Sequence, residues 1–474
     1  MITKFYFLGF GILSFLTISC ENELNINSDP NNSTKVPIST LLTASEVSIA
    51  YTLGGDATRI PASIVQHYAG HRGQPLEYAQ YDITPSSTDG LWKSSYDALY
   101  DLKSIEKEGT KSNDMVYVGI SQLLQAYTFS VLTDVFGDIP FTQSLLGSSN
   151  ITPAYDTQES IYTALLALID KGINNVKLNA GKKPTNDDVI YGGNIIKWEK
   201  FGNSLKLRLY NHLSKKNPTQ ALAFLNTNPS LILSNTDNAK VNFVDNAANA
   251  NPIYQFDVLS GRKDNAVCST IVNKMKSLND PRVPVYFNPV ANNSAGQAGK
   301  YLGNIPGGDT DDSGENLFSR VGSAYASVDS PVMFISAAEV NFIKSEIYFR
   351  ANDLINSKAS YENAITLDFS SIGVIGINTY LLDSQVAFDN TLSRIMEQKW
   401  ITMFQSSYES FVDWRRTGFP VLTPPITNRT NSVIPRRLSY PQIEINVNNK
   451  SLSDGPGIPI PYQTLKTRVW WDVQ

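Results

Sequence analysis

The sequence contains few of the residues that build disulfide frameworks, zinc sites and nucleic-acid surfaces. It has two cysteines and three histidines among 474 residues, and its net charge at pH 7 is −5. Two cysteines give at most one disulfide, and a chain of this length buries enough apolar surface to fold without one. The acidic balance argues against a nucleic-acid partner, because such a partner requires a clustered basic face. We therefore expect a globular protein that depends on its apolar core.

Several catalytic motifs are also missing. The sequence has no G-x-S-x-G nucleophile elbow, no Walker phosphate loop and no dinucleotide-binding fingerprint. The two carboxylates of a glycoside hydrolase need only meet in space, so sequence spacing leaves that enzyme class open.

Two short patterns resemble metal sites, and both are incomplete. Asp309–Glu315 begins like an EF-hand calcium loop, but the twelfth position, where a bidentate glutamate is needed, is Arg320. His67 and His71 have the i,i+4 spacing of a zinc pair, but the glutamate that follows the first histidine in a metalloprotease is missing. We interpret Asp309–Glu315 as an exposed polar loop, with calcium binding left open, and predict no metal site.

The first residues have the organisation of an export signal. Phe5–Ile18 is almost wholly apolar but too short to cross a bilayer, which requires about 20 residues. No later apolar run approaches that length. The sequence TISC at 17–20 resembles the lipobox of bacterial lipoproteins, although Thr17 stands where an aliphatic residue is usual. We predict that residues 1–19 are a removed signal peptide and that Cys20 carries the lipid; the alternative is a soluble secreted protein.

The segment after the cysteine is poor in apolar residues. It reads ENELNINSDPNNSTKVP, and this content of Asn, Ser, Asp and Pro is typical of an extended chain. We predict a lipid-anchored flexible tether over residues 20–37 and one binding domain over residues 38–474.

Helical periodicity dominates the rest of the sequence, and strand alternation is scarce. The apolar spacing predicts helices at Ser39–Leu53, Leu91–Glu108, Met115–Val135, Glu159–Val176, Ile195–Ser214, Phe334–Ala351, Ser357–Leu367 and Leu392–Phe404. We expect Asp156 to cap one helix, and Gly109 and Gly418 to end two others. The long irregular segments Asn228–Asp264 and Pro281–Val328 are candidates for functional loops.

Some residues favour burial over function. Cys268 has apolar neighbours and no nearby histidine, which is typical of a small core residue. Four tryptophans fall on predicted helices with apolar neighbours at helical spacing, so we expect them in the core: Trp92, Trp198, Trp400 and Trp414.

The predicted pair Phe334–Ala351 and Ser357–Leu367 has the pattern of a tetratricopeptide repeat. Tyr348, Tyr361 and Ala364 occupy the packing positions of such a repeat, and the small Ser345 suits a close helix crossing. Packed helix pairs of other kinds give similar spacing.

Eight segments along the chain carry a resemblance when they are taken together and in order. They are LNINSDPNN at 24–32, PISTLL at 37–42, LTDVFGDIPF at 132–141, PAYDTQESIY at 153–162, KWEKFGNSLKLR at 197–208, ISAAEV at 335–340, EQKWI at 397–401 and VWWD at 469–472. They resemble the SusD/RagB family of outer-membrane nutrient-binding lipoproteins, in particular its second SusD-like branch.

The resemblance implies a mostly α fold. In this family, tetratricopeptide-like helix pairs support a second, loop-rich face with few short strands, and that face carries the ligand site. The resemblance also implies a partner, a TonB-dependent β-barrel transporter on which the protein sits as a hinged lid.

Two stretches combine aromatic and polar side chains, as a glycan site requires. The first is Gln66–Tyr81, and the second is the loop around residues 301–325. From them we predict eight ligand-binding residues, each of which could instead serve local packing: His71, Arg72, Tyr78, Tyr81, Tyr301, Asn304, Phe318 and Tyr325.

These features give one leading hypothesis and three alternatives. We predict a lipoprotein of the Gram-negative outer membrane, facing the cell surface. It binds oligosaccharides or polysaccharides without catalysis or a cofactor, and delivers them to its transporter. The first alternative is a peptide-capturing lid on the same type of transporter. The others are a glycoside hydrolase and a structural helical scaffold. The sequence does not identify the sugar.

Overall fold

Helices form most of the framework, as the periodicity predicts. The structure is a computed structural model that describes residues 36–291, 296–310 and 317–474. Its first eight α-helices are α1 (Ile38–Gly54), α2 (Asp56–Ile64), α3 (Gly73–Ala79), α4 (Asp89–Ser112), α5 (Met115–Phe136), α6 (Gln158–Leu178), α7 (Ile195–His212) and α8 (Gln220–Leu225). The later ones are α9 (Pro252–Tyr254), α10 (Ser269–Ser277), α11 (Val283–Tyr286), α12 (Ser323–Ala326), α13 (Ala337–Arg350), α14 (Leu354–Ser371), α15 (Ile377–Leu382), α16 (Leu392–Thr402), α17 (Ser407–Thr417), α18 (Gln442–Val447) and α19 (Asn449–Asp454).

The strands are short and form two-stranded antiparallel pairs. They are β1 (Ile139–Pro140), β2 (Tyr155–Asp156), β3 (Ala239–Val241), β4 (Phe287–Asn288), β5 (Arg320–Val321) and β6 (Val332–Ile335). β1 pairs with β2, β3 with β6 and β4 with β5. The β3–β6 pair places Lys240 opposite Met333. Each pair fixes the position of a loop rather than building a sheet core.

Small residues let the long helices of the framework cross closely. α5 packs against both α4 and α6, and α6 packs against α7. A Cβ atom on Gly119 would lie 2.6 Å from the carbonyl oxygen of Gly172, and one on Gly202 would lie 2.6 Å from Ile173 Cγ1. Glycine at these positions therefore lets α5, α6 and α7 approach more closely than larger residues would.

α5 is a central core helix. Among the described residues, it is the one helix long and apolar enough to cross a membrane by length and composition, so our expectation of no such later segment was wrong. The most apolar 18-residue stretch of this helix is 94% buried inside the protein. The helix thus serves as the hydrophobic centre against which its neighbours pack.

The predicted tetratricopeptide-like pair is present as α13 and α14. Ser345 Oγ donates to the carbonyl oxygen of Ser357 at 2.9 Å, and Ser357 Oγ donates to that of Ser345 at 2.8 Å. Tyr361 and Ala364 are fully buried, while Tyr348 packs half-buried against the core. The pattern read from the sequence therefore corresponds to a closely crossed helix pair.

Three boundary predictions were wrong, for local reasons. Phe334 belongs to β6, and Ser336 begins the next helix because its side chain accepts the Glu339 backbone N–H at 3.1 Å. Asp156 does not cap α6; it accepts the backbone N–H groups of 141 and 142 instead, and Thr157 is the cap. Gly109 lies inside α4, where it packs against α5.

Other local predictions are confirmed. Gly418 ends α17 with a positive φ of 81°, a conformation that glycine adopts without strain. Cys268 is fully buried, and burial raises the pKa of its thiol to about 11. The four tryptophans named above are all buried.

Charged side chains join the helices inside the core. Arg208 on α7 holds Glu339 on α13 through two hydrogen bonds of 2.7 Å. His212 lies between Glu409 and Asp134, at 3.0 and 3.3 Å. Burial alone would lower the pKa of His212, but the two carboxylates outweigh it and raise the pKa to about 9. These pairs tie four helices together, and each buried charge has a partner of opposite sign.

Candidate ligand-binding face

Two distant stretches of the sequence meet across a third. The backbone N–H of Ala69 donates to the carbonyl oxygen of Ala266 at 2.9 Å, and that of His71 donates to Asp264 at 3.0 Å. On the other side, the N–H of Asn304 donates to Val267 at 2.9 Å. The segment 264–269 therefore joins both of the stretches from which we predicted the site. We call the surface formed by residues 66–81, 255–269, 301–310 and 317–320 the loop face.

His71 and Phe318 form an aromatic contact on this face. Their ring centroids are 5.6 Å apart with an angle of 46°. His71 Nε2 lies 2.5 Å from the carbonyl oxygen of Lys263 and 3.3 Å from Arg320 Nη1. The shorter contact is to an acceptor, so we assign the proton to Nε2. His71 is buried and supports Phe318, which is half-exposed.

Arg72 supplies hydrogen-bond donors beside this contact. Its Nε donates to Asp264 Oδ1 at 2.5 Å, and 42% of its side chain is exposed. The ion pair fixes the guanidinium on the loop face while its outer nitrogens remain near solvent. An arginine held in this way is suited to hydroxyl or carbonyl groups of a ligand.

Arg59 and Phe256 extend the face, and the sequence reasoning did not identify them. The Arg59 guanidinium lies 3.4 Å from the Phe256 ring centroid, and its Nη2 donates to Gln74 Oε1 at 3.0 Å. Phe256 belongs to a π-helical turn, Gln255–Leu259, within the segment predicted to hold functional loops. The sequence therefore indicated the segment Asn228–Asp264 as a functional loop but did not single out Phe256.

Besides His71, three predicted site residues of the loop face lie inside the protein. Tyr78, Tyr81 and Asn304 are each 1% exposed. Burial raises the pKa of Tyr78 to about 12, and Tyr81 donates its hydroxyl to the carbonyl oxygen of Ile64 at 3.3 Å. Asn304 Nδ2 donates to the carbonyl oxygens of residues 69, 70 and 308 at 3.2, 3.3 and 3.0 Å. In this structure these side chains hold the loops together beneath the face.

The remaining two tyrosines occupy different places. Tyr301 is half-buried, and its carbonyl oxygen accepts Lys276 Nζ at 3.2 Å. Tyr325 is buried, with its ring 5.0 Å from Tyr286 and 5.7 Å from Phe404. Tyr325 lines a separate cleft near β6 and α14. The structure thus brings the buried His71 into contact with Phe318, leaves the neighbouring Arg72 partly exposed, and places Tyr325 elsewhere.

The two histidines with the spacing of a zinc pair, His67 and His71, have other partners. His67 Nδ1 lies 2.8 Å from Ser407 Oγ, and its Nε2 lies 2.9 Å from the carbonyl oxygen of Trp400. Burial lowers the pKa of His67 to about 3. Within the described ranges, no three His, Cys, Asp or Glu side chains form a group that could hold a metal ion. Residues 311–316 of the calcium-like loop, and Cys20, lie outside the described residues.

Comparisons with known proteins identify the fold and the family. A chitin-binding protein of solved structure is 23% identical, with a TM-score of 0.80, covering 92% of this chain and 100% of its own. A chitin-binding SusD homolog from Flavobacterium johnsoniae is 24% identical, with a TM-score of 0.78 and coverages of 92% and 99%. A SusD homolog from Bacteroides uniformis is 23% identical, with a TM-score of 0.75 and the same coverages.

Comparison by sequence alone finds fewer matches. No curated protein matches the chain. One family model, the second SusD-like model, matches residues 30–441 and is described as starch-binding and associating with the outer membrane. The match covers most of the chain, and the helical fold agrees with it, so the resemblance read from the eight segments is confirmed. The chain belongs to the SusD-like family.

Proposed function

We propose that this protein binds oligosaccharides or polysaccharides at the cell surface, without cleaving them, and delivers them to a TonB-dependent transporter. The observation that carries the proposal is the loop face, where His71 contacts Phe318 from a distant stretch and Asp264 holds the adjacent Arg72. The family description as starch-binding supports a glycan ligand, and two structural relatives are described as chitin-binding.

The loop face has the mixed chemistry that sugars require. A sugar ring presents apolar C–H groups on its faces and hydroxyl groups at its edge. Phe318 and Phe256 supply half-exposed rings, and Arg72 and Arg59 supply donors already held by Asp264 and Gln74. Because these groups are held before a ligand arrives, little side-chain entropy is lost on binding.

The attachment to the membrane follows from the amino terminus. A lipid on Cys20 would hold the protein at the outer membrane, since each buried methylene contributes about 0.8 kcal/mol. The tether over residues 20–37 would keep the loop face at high local concentration beside a transporter without fixing its orientation. The family's description as associating with the outer membrane supports this arrangement.

Retention in native gels that contain starch or soluble chitin tests the ligand class. We expect the glycan to retard the wild type. The double variant Arg72→Ala/Phe318→Ala should bind the glycan at least about tenfold more weakly and therefore be retarded less. Tyr100→Ala is the matched control, because Tyr100 is 48% exposed on α4 and lies outside the loop face. Equal retention of the double variant would reject this site, and no retention on any glycan would reject the ligand class.

Capture of peptides is the second candidate. It is favoured by the burial of Tyr78, Tyr81 and Tyr325, which leaves the loop face with fewer exposed rings than the sequence suggested. Backbone-paired loops of this kind also suit extended peptides. Titration with a mixture of short peptides distinguishes the two, because peptide binding without glycan retention would establish this alternative.

A further inference from the structure

A second cleft lies away from the loop face. It has a volume of about 360 Å³, near the lower end of the range for small-molecule sites. Its walls come from β3, β6, α12, the end of α14 and the turn that follows α16. The residues used below are Lys240, Tyr325, Met333, Asp368, Gln405 and Ser406. Of the eight residues predicted for ligand binding, it contains only Tyr325.

Asp368 is a buried carboxylate, and one of its oxygens already accepts three hydrogen bonds. Its Oδ2 accepts Arg282 Nη1 at 2.6 Å, Tyr286 Oη at 3.1 Å and Thr402 Oγ1 at 3.2 Å. Among the described residues, no donor reaches its Oδ1, although the side chain is only 7% exposed and lines the cleft. This oxygen faces the cleft, where it can accept a hydrogen bond from a bound molecule.

The charges around Asp368 do not balance. Arg282 is fully buried and is shared with a second carboxylate, because its Nη2 lies 2.6 Å from Asp280 Oδ2. One guanidinium therefore faces two carboxylates, which leaves one net negative charge at this wall. A buried excess charge is costly unless a partner of opposite sign approaches it.

The other walls carry polar groups that are open to a ligand. Lys240 is half-buried, and its Nζ makes no ion pair or hydrogen bond with any residue that the structure describes. The side chains of Gln405 and Ser406 likewise make no hydrogen bond within the described ranges. Met333 adds an apolar surface. The cleft thus combines an excess carboxylate, an ammonium group and neutral donors and acceptors.

We propose that this cleft binds a small molecule that carries a protonated amine, which donates to Asp368 Oδ1. A neutral polyol could supply the hydrogen bond but would leave the negative charge at the Asp368 wall unmatched. Two classes of ligand share this chemistry, amino sugars and amino acids. They differ at Lys240, which would attract the carboxylate of an amino acid and repel the amine of an amino sugar.

Isothermal titration with three small probes, glucosamine, L-alanine and glucose, tests the proposal. We expect glucosamine or L-alanine to bind at concentrations up to about 10 mM, and glucose to bind at least about tenfold more weakly. The variant Lys240→Met distinguishes an amino-acid ligand from an amino-sugar ligand. It should weaken L-alanine binding about tenfold if the ligand is an amino acid, and leave glucosamine binding equal or tighter if it is an amino sugar. Lys93→Met, at an exposed position on α4, is the matched control.

Two variants test the wall itself. Asp368→Asn should weaken amine binding by at least about tenfold, because it removes the charge. Since Asp368 also supports Arg282, the folding of this variant is checked by thermal unfolding, and Gln405→Ala, which removes no hydrogen bond of the described chain, should weaken binding severalfold. Equal affinity for glucose and glucosamine, no binding of either amine, or unchanged binding in both variants would overturn the proposal.

Discussion

Arg208 and Glu339 form a two-point ion pair inside the protein, with both hydrogen bonds at 2.7 Å and each side chain 1% exposed. Arg208 belongs to KWEKFGNSLKLR and Glu339 to ISAAEV, two of the segments that carry the family resemblance. The pair joins α7 to α13 and therefore links the framework helices to the tetratricopeptide-like pair. This pairing explains why Arg208 and Glu339 are charged although both lie in the core.

Removal of Arg208 should destabilise the protein strongly. We expect Arg208→Met to lower the free energy of unfolding by about 3–5 kcal/mol, because Glu339 and Glu409 would remain buried without it. Lys206→Met on the same helix is the control, since its partner Asp170 is half-exposed and surface pairs contribute about 0–1 kcal/mol. Urea unfolding measures both. A loss of less than about 1 kcal/mol in Arg208→Met would contradict this assignment.

His212 should make the stability depend on pH on the alkaline side. Its folded pKa of about 9 lies above the ordinary value of 6.5, so the folded state binds the proton more tightly than the unfolded state. The stabilisation is complete below pH 6.5 and is lost as the pH rises through 9, by about 3 kcal/mol. Urea unfolding from pH 6 to 10 should show this fall, and His212→Gln should reduce it. If the free energy of unfolding falls equally with pH in the variant, His212 is excluded as the source of the fall.

Asn304 should stabilise the loop face without touching a ligand. Asn304→Ala removes the donor to three carbonyl oxygens, so we expect a loss of about 1–3 kcal/mol in the free energy of unfolding. Asn449→Ala, at an exposed position, should change it by less than about 0.5 kcal/mol. If Asn304→Ala instead retains full stability and loses only glycan binding, Asn304 contacts the ligand directly, as the sequence prediction had it.

Cys20 should carry the membrane anchor. We expect mass spectrometry of the mature protein to find residues 1–19 absent and acyl chains on Cys20, and Cys20→Ala to move the protein from the membrane to the soluble fraction. Cys268→Ala is the control, because Cys268 is buried in the core. An unmodified mature terminus would contradict the lipid anchor.

The sequence predicted the helical framework well because local periodicity determines it. All eight predicted helices exist, and the errors at Phe334 and Asp156 arose where a strand pair or a distant backbone group competed with the helix. The site was harder to predict. Tyr78 and Phe318 look alike in sequence as candidate platforms, but tertiary packing buries one and leaves the other half-exposed. Sequence composition alone does not contain that difference.

The cleft at Asp368 was beyond prediction for a related reason. Its walls come from segments far apart in the chain, and its excess charge depends on how Arg282 is shared between Asp280 and Asp368. Only the folded arrangement determines which oxygen of Asp368 lacks a donor. Chemistry built from side chains on several elements therefore becomes visible only in the structure.

A crystal structure of the protein with a starch or chitin oligosaccharide tests the central claim most directly. We predict electron density for a sugar against Phe318, with a hydroxyl or carbonyl oxygen within hydrogen-bonding distance of Arg72. Sugar density on another surface, with the loop face empty, would contradict the account.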